Sequence, residues 1–115
     1  MKASKFEEIS EQMLSNCTKT LFRKAEEYAS DEDRLANFKQ PTTLMGANQA
    51  EVCLWYDAKH IASLVKIAKD INRDKYPTME LLQEKVGDYI NYGLLFYANV
   101  VELIEENKLT SKKQT

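Results

Sequence analysis

TMELLQEKVGDYINYGLLFYANVVELIEEN, residues 78–107, is the stretch whose reading decides the fold. Tyr76-Pro77 breaks the chain before it, and Thr78 can cap a new helix with its hydroxyl. The spacing predicts one helix to about Asn107. This helix has two usable faces. Leu82, Val86, Tyr89, Phe96, Val100 and Leu103 recur at helical spacing on one. Leu81, Glu84, Asp88, Asn91, Tyr92 and Leu95 form the other, a polar patch bracketed by leucines. A single partner helix would not cover both faces.

Reading outward from there, Asn48-Gln49-Ala50-Glu51 has the form of a helix cap with Glu at the third helical position. A second helix is expected from it to about Arg73, with Val52, Tyr56, Lys59, His60, Ser63, Ile67 and Ile71 along one stripe. Its middle is anomalous, because Lys59, His60 and Ser63 interrupt an otherwise apolar face. Ser4-Lys5-Phe6-Glu7 is a capping box for a first helix. Phe6, Ile9, Met13, Cys17 and Leu21 carry that helix's stripe toward Tyr28, with an end expected near Ser30. Residues 31–47, broken by Pro41 and Gly46, form the longest irregular stretch. A short helical turn is expected over Arg34–Phe38, and Leu35, Phe38 and Leu44 need cover.

The expected fold is therefore all-α: a small helical bundle of three long helices. Residues 1–108 form a single helical domain and 109–115 a frayed C-terminal tail. Three helices with apolar residues to spare predict a homo-oligomer, most simply a dimer closing a four- or six-helix bundle.

Composition agrees and excludes. The chain has 115 residues, 43% apolar and 30% charged, with only three Gly and two Pro. That leaves too few turns for a sandwich or barrel. A formal net charge of −2, with acids and bases interspersed, lacks the basic stripe of a phosphate-neutralising nucleic-acid binder. Direct DNA binding is not expected. Cys17 and Cys53 fall on apolar helical positions and read as reduced core thiols. No apolar run approaches the roughly 20 residues of a membrane span, so a cytoplasmic protein is expected.

Several residues carry chemistry. Glu84 and Asp88, one helical turn apart, repel by a few tenths of a kcal/mol in isolation, and gain only if a cation sits between them. A divalent metal such as Mg²⁺ and a lysine both fit. Both carboxylates are expected to point toward Lys59, His60 and Ser63. Lys59 on a half-buried face calls for a carboxylate or a bound anion. His60, the only histidine, cannot build a zinc site alone. Arg34 suits bidentate phosphate contacts, and Asn37 base edges or turn closure. Glu7, Glu8 and Glu11 open a helix where acids favour its dipole.

KAEEY, DEDRLANF, KHIAS and EKVGDYINY together resemble small, mostly bacteriophage-encoded proteins related to the MazG-like all-α nucleotide pyrophosphohydrolases, over roughly residues 17–105. The resemblance implies Mg²⁺ held by an acidic EExxE half-site on one helix and an ExxD half-site on the next. Glu84 and Asp88 correspond to the second half-site, with three residues between them. At the first, the counterpart is Lys59-His60-Ile61-Ala62-Ser63, in which the acids are replaced. The resemblance thus implies binding of a nucleotide or nucleotide-derived ligand through Arg34, Asn37, Lys59, His60, Ser63, Asn91 and Tyr92. Glu84 and Asp88 would hold Mg²⁺, and residual pyrophosphohydrolase activity stays open. The alternative is a phage inhibitor of a host defence, acting by sequestering a nucleotide signal or by docking on a host protein.

Overall fold

The computed structural model describes residues 1–28 and 32–114, and among these every regular element is helical. Helix α1 spans Ala3–Tyr28, α2 Ala36–Lys39, α3 Thr42–Met45, α4 Gln49–Ile71 and α5 Met79–Gln114. The expected end of the first helix near Ser30 lies outside the described residues.

The helix boundaries follow local chemistry. Asn48 Oδ1 accepts from the Glu51 amide at 3.0 Å, and Glu51 Oε1 accepts from the Asn48 amide at 3.2 Å. Two amides that the first turn of α4 leaves without helical partners are thereby satisfied. Gly46, at φ 62°, ends α3 in the left-handed region. Thr78 Oγ1 accepts from the Leu81 amide at 3.1 Å, capping α5. Beyond Asn107, where sequence reading ends it, α5 continues through Gln114. Neither Gly nor Pro occurs there to stop it.

Helix α5 is the hub: α4 packs along it, α1 packs against it, and α2 packs on α4. The α4–α5 pair is antiparallel. Gln49 Nε2 donates to Asn99 Oδ1 at 2.9 Å and to Glu102 Oε1 at 3.2 Å, while His60 meets Asp88 further along. The face of α5 turned to α4 is the polar one. Asn91 and Asn99 are buried on it, and Tyr92 and Leu95 pack against the core. On the other face Phe96 reaches the core, but Tyr89 is 47% exposed and Leu82, Val86 and Val100 are only half-buried.

The core gathers where α2, the start of α4 and the middle of α5 converge. Leu35, Phe38, Val52 and Cys53 form it, with Phe38 edge-on to Tyr92 at 6.3 Å between ring centroids. Leu35 and Phe38 thus find the cover the sequence demanded. Leu44 does not, and is 91% exposed, because α3 presents it outward after the Pro41 turn. The first half of α1 is similarly uncovered: Phe6 of its expected stripe is 62% exposed. The chain is long for its mass, with a radius of gyration of 17.6 Å against about 13 Å for a compact domain of this size.

Polar contacts fasten the connecting segment. Lys39 of α2 pairs with Asp33 at 2.8 Å and with Glu102 of α5. The hydrogen bond from Lys39 is the main cause pulling the Asp33 carboxyl below its ordinary value, and bonds to Asp33 and Glu102 raise the Lys39 ammonium. Glu102 also accepts from Gln49, so one carboxylate joins α2, α4 and α5.

Two outcomes are expected. Gln49→Ala leaves the Asn99 carbonyl, at 0% exposure, without its donor, and urea unfolding is expected to show a loss of about 1–3 kcal/mol. Cys53 is fully buried, and burial first, then the nearby Asp57 charge, pushes its thiol up to about 11. A thiol reagent at mildly alkaline pH is therefore expected to leave Cys53 unmodified in the folded protein and to modify it in denaturant.

Candidate functional site

A pocket of about 790 Å³ opens between α1, the α2–α3 segment, α4 and α5. Four elements supply its walls. Helix α1 contributes Leu21, Lys24 and Ala25, and the connecting segment Arg34, Asn37, Phe38, Gln40 and Pro41. Helix α4 gives Tyr56, Lys59 and His60; α5 gives Asp88, Asn91, Tyr92 and Leu95. The volume is that of an ordinary small-molecule site.

Its electrostatic centre is Asp88, whose side chain is 17% exposed. Lys24 Nζ lies 3.7 Å from Oδ1 and His60 Nδ1 lies 3.6 Å from Oδ2. These are ion-pair distances, longer than good hydrogen bonds, so the contacts are loose enough to rearrange. Lys24, Arg34 and Lys59 supply the cations of the lining and Asp88 its carboxylate, with Lys24 already paired to Asp88. Lys59 is exposed at the rim and is solvated there, which removes the need for a buried counter-charge expected from sequence.

One wall is aromatic. The His60 ring stands 4.6 Å from the Tyr92 ring, and Phe38 lies 5.9 Å from Tyr56. Burial, followed by the neighbouring Cys53, Asp57 and Asp88, raises the Tyr92 phenol above its ordinary value, so Tyr92 stays a neutral donor. Asn91 is 7% exposed, and its Oδ1 is buried with no hydrogen-bond partner. Such an atom costs about 1–3 kcal/mol until a donor reaches it.

The sequence-derived set divides. Arg34, Asn37, Lys59, His60, Asp88, Asn91 and Tyr92 are brought together at this pocket. Ser63 is not part of its lining; its hydroxyl donates to the Lys59 carbonyl of its own helix at 3.0 Å. Glu84 does not share Asp88's orientation toward His60. Its side chain is 60% exposed and lies 3.9 Å from Lys85, and it lines instead a groove of about 400 Å³ between α1 and α5. Asp88, Lys24 and Asn91 border both spaces.

For metal binding the donor set is thin. Among the described residues no three or more His, Cys, Asp or Glu are gathered as a metal group. Asp88 and Glu84 both border the α1–α5 groove. A Mg²⁺ there would need waters and ligand phosphates for its remaining positions, and the Lys24 ammonium already lies against Asp88.

Lys24 is the main residue that sequence reading left without a role. It occupies the stripe of α1, one turn beyond Leu21, and a lysine on an apolar stripe is the same signal that singled out Lys59. Asp57 is another: it is 8% exposed, with Oδ1 buried and unpartnered, between Cys53 and His60 along α4.

The chain matches no family model, and no curated protein or solved structure matches it significantly.

Burial raises the Asp57 carboxyl above its ordinary value, and the nearby His60 only partly opposes this. A carboxyl whose folded-state pKa exceeds the unfolded one imposes no penalty when protonated in both states, and costs stability as pH rises through the unfolded value of about 3.9 toward the folded one. Asp57→Asn removes that titration. Urea midpoints across this acid range are expected to show the variant gaining on the wild type as pH rises toward neutrality; a constant difference would assign the carboxyl no such cost.

Proposed function

We propose that the chain binds a nucleotide or nucleotide-derived phosphate ligand in the pocket around Asp88, and holds it rather than turning it over. One observation carries the reading: Lys24, Arg34 and Lys59 line a ring-walled pocket in which Asn91 Oδ1 is buried without a donor. In the proposed arrangement Lys59 and Arg34 meet phosphate by charge-assisted contacts. Tyr56, Phe38 and Tyr92 offer flat apolar surface to a base, and Asn37 and Asn91 face its polar edge or the sugar. The resemblance to MazG-like proteins carried by DRLANF and EKVGDYINY supports the same ligand class.

Binding is preferred over hydrolysis on chemical grounds. Metal-assisted attack on a phosphoryl group requires carboxylates that hold the ion and orient the water. Where the acidic half-site would lie, this chain has Lys59, His60 and Ser63. Mg²⁺ enters the proposal as an ion carried in by the ligand's phosphates and held by Asp88, with Glu84 joining from the groove side. In a phage setting the same pocket would sequester a nucleotide signal of the host. The working form is proposed to be a homo-oligomer.

The test is calorimetric titration with nucleotides and cyclic dinucleotides, with and without Mg²⁺, preceded by thermal-shift screening, since a ligand of the folded state raises its melting point. A charge-assisted contact contributes about 1.5–3 kcal/mol, so Lys59→Ala is expected to weaken binding roughly ten- to a hundred-fold. Asp88→Asn is expected to weaken it chiefly in the presence of Mg²⁺. Release of pyrophosphate from a common triphosphate at an ordinary enzymatic rate, abolished by Asp88→Asn, would overturn the preference for binding.

A further inference from the structure

The α1–α5 groove adjoins the pocket, because Lys24, Asp88 and Asn91 line both spaces. Two of these three meet: Lys24 Nζ of α1 lies 3.7 Å from Asp88 Oδ1 of α5. A pair that reaches from one helix to the other and borders both spaces is the partition between them. It is a weak partition. The separation exceeds that of a good hydrogen bond, and the Lys24 side chain is 48% exposed, so an arriving anion can draw the ammonium off the carboxylate. Asn91 stands at the same boundary, 7% exposed, with Oδ1 buried and unpartnered. That atom calls for a donor, which an ionised phosphate lacks and a sugar hydroxyl supplies.

Beyond the partition the groove has a character of its own. Its floor is apolar where α1 and α5 draw together: a Cβ at Gly87 would lie 3.5 Å from Cys17 Sγ and from Met13 Cε. Its walls are polar, with Asn16 and Thr20 on α1 and Gln83 on α5. The lining cations are Arg23 and Lys24. Lys24 already faces Asp88, and Arg23 shares the groove with Glu80 and Glu84. A further phosphate would meet those two carboxylates; an uncharged group would meet hydrogen-bonding side chains instead. At about 400 Å³ the groove has room for such a group.

We infer that pocket and groove are two halves of one cleft, and that its ligand is a nucleotide whose phosphate carries a second, uncharged polar group, a sugar or another nucleoside. The ring end lies in the pocket. The phosphate sits at the boundary and takes Lys24 from Asp88, an adjoining sugar hydroxyl donates to Asn91 Oδ1, and the second group occupies the groove. This rests on the nucleotide reading of the pocket and specifies what that nucleotide carries.

The test is calorimetric titration in the absence of Mg²⁺, with ADP, ATP, ADP-ribose and diadenosine diphosphate, and with UDP, UTP and UDP-glucose as a pyrimidine set. At least one of the substituted diphosphates is expected to bind roughly tenfold more tightly than its parent diphosphate, the gain of one or two net hydrogen bonds. The triphosphates are expected to bind no more tightly than the diphosphates. Comparing ADP-ribose with diadenosine diphosphate tells whether a sugar or a nucleoside fits better. Asn16 and Gln83 are exposed and line the groove but not the pocket, so a tryptophan at either fills the groove without disturbing the core. In Asn16→Trp or Gln83→Trp the ratio of the two affinities, substituted against parent, is expected to fall to about one. Lys24→Met is expected to weaken every probe that binds by roughly ten- to a hundred-fold. No gain over the parent diphosphates, a gain that survives in both tryptophan variants, or triphosphates binding most tightly of all would overturn the two-part cleft and leave nucleotide binding standing. Failure of the wild type to bind any of the seven would overturn the nucleotide reading and this inference with it.

Discussion

The seam between α4 and α5 closes on a fully buried asparagine. Asn99 donates to the Leu95 carbonyl of its own helix at 2.9 Å and accepts from Gln49 across the seam. Apolar side chains alone would leave the two helices free to slide by a turn, since Leu on Leu is satisfied in several registers. An amide buried among them is satisfied in one. With Gln49 opposite Asn99, the antiparallel run fixes Cys53 near the Tyr92 carbonyl and His60 near Asp88. The position of every α4 and α5 residue around the pocket follows from that register. Lys39 and Glu102 extend it to the connecting segment, and so hold Arg34 and Asn37 at the mouth.

The same seam accounts for the odd distribution of polarity. A lone helix with a polar and an apolar face would turn the apolar one inward. Here the face bearing Asp88, Asn91 and Asn99 turns inward and much of the apolar one remains outside. That inversion costs desolvation of Asn91 and Asp88, only partly offset by the loose contacts Asp88 makes with Lys24 and His60. It also produces the concave, unevenly satisfied surface that a binding site needs, so stability and site compete for the same helix faces.

Much of this was legible in the sequence where the signal is local, although the expected Ser4–Glu7 box is not the start of α1, which begins at Ala3 and takes Ser4 into its first turn. The Asn48–Glu51 box and Pro77-Thr78 mark the starts of α4 and α5 because capping is decided within four residues. The turn over Arg34–Phe38 was readable for the same reason. Lys59 and His60 drew attention by interrupting an apolar stripe, and both lie at the pocket. Ser63, on that stripe, bonds back to its own helix, an option hydroxyls always have and spacing cannot exclude. Glu84 and Asp88 differ by about 40° around the helix axis. At the edge of the α1–α5 groove that is enough to send one carboxylate toward His60 and the other into water. Lys24 stayed invisible because its partner, Asp88, is distant in the chain and met only after α1 docks.

The exposed apolar residues of α4 and α5 respond to cold differently from the helix seam. Contacts made by such a surface draw their strength from the release of hydration water, and that driving force fades as temperature falls. The seam around Asn99, fastened by hydrogen bonds and ion pairs, does not share this dependence. Any contact made on the exposed Leu54, Ile61 and Tyr97 side chains therefore weakens on chilling before the α4–α5 helix pair itself does.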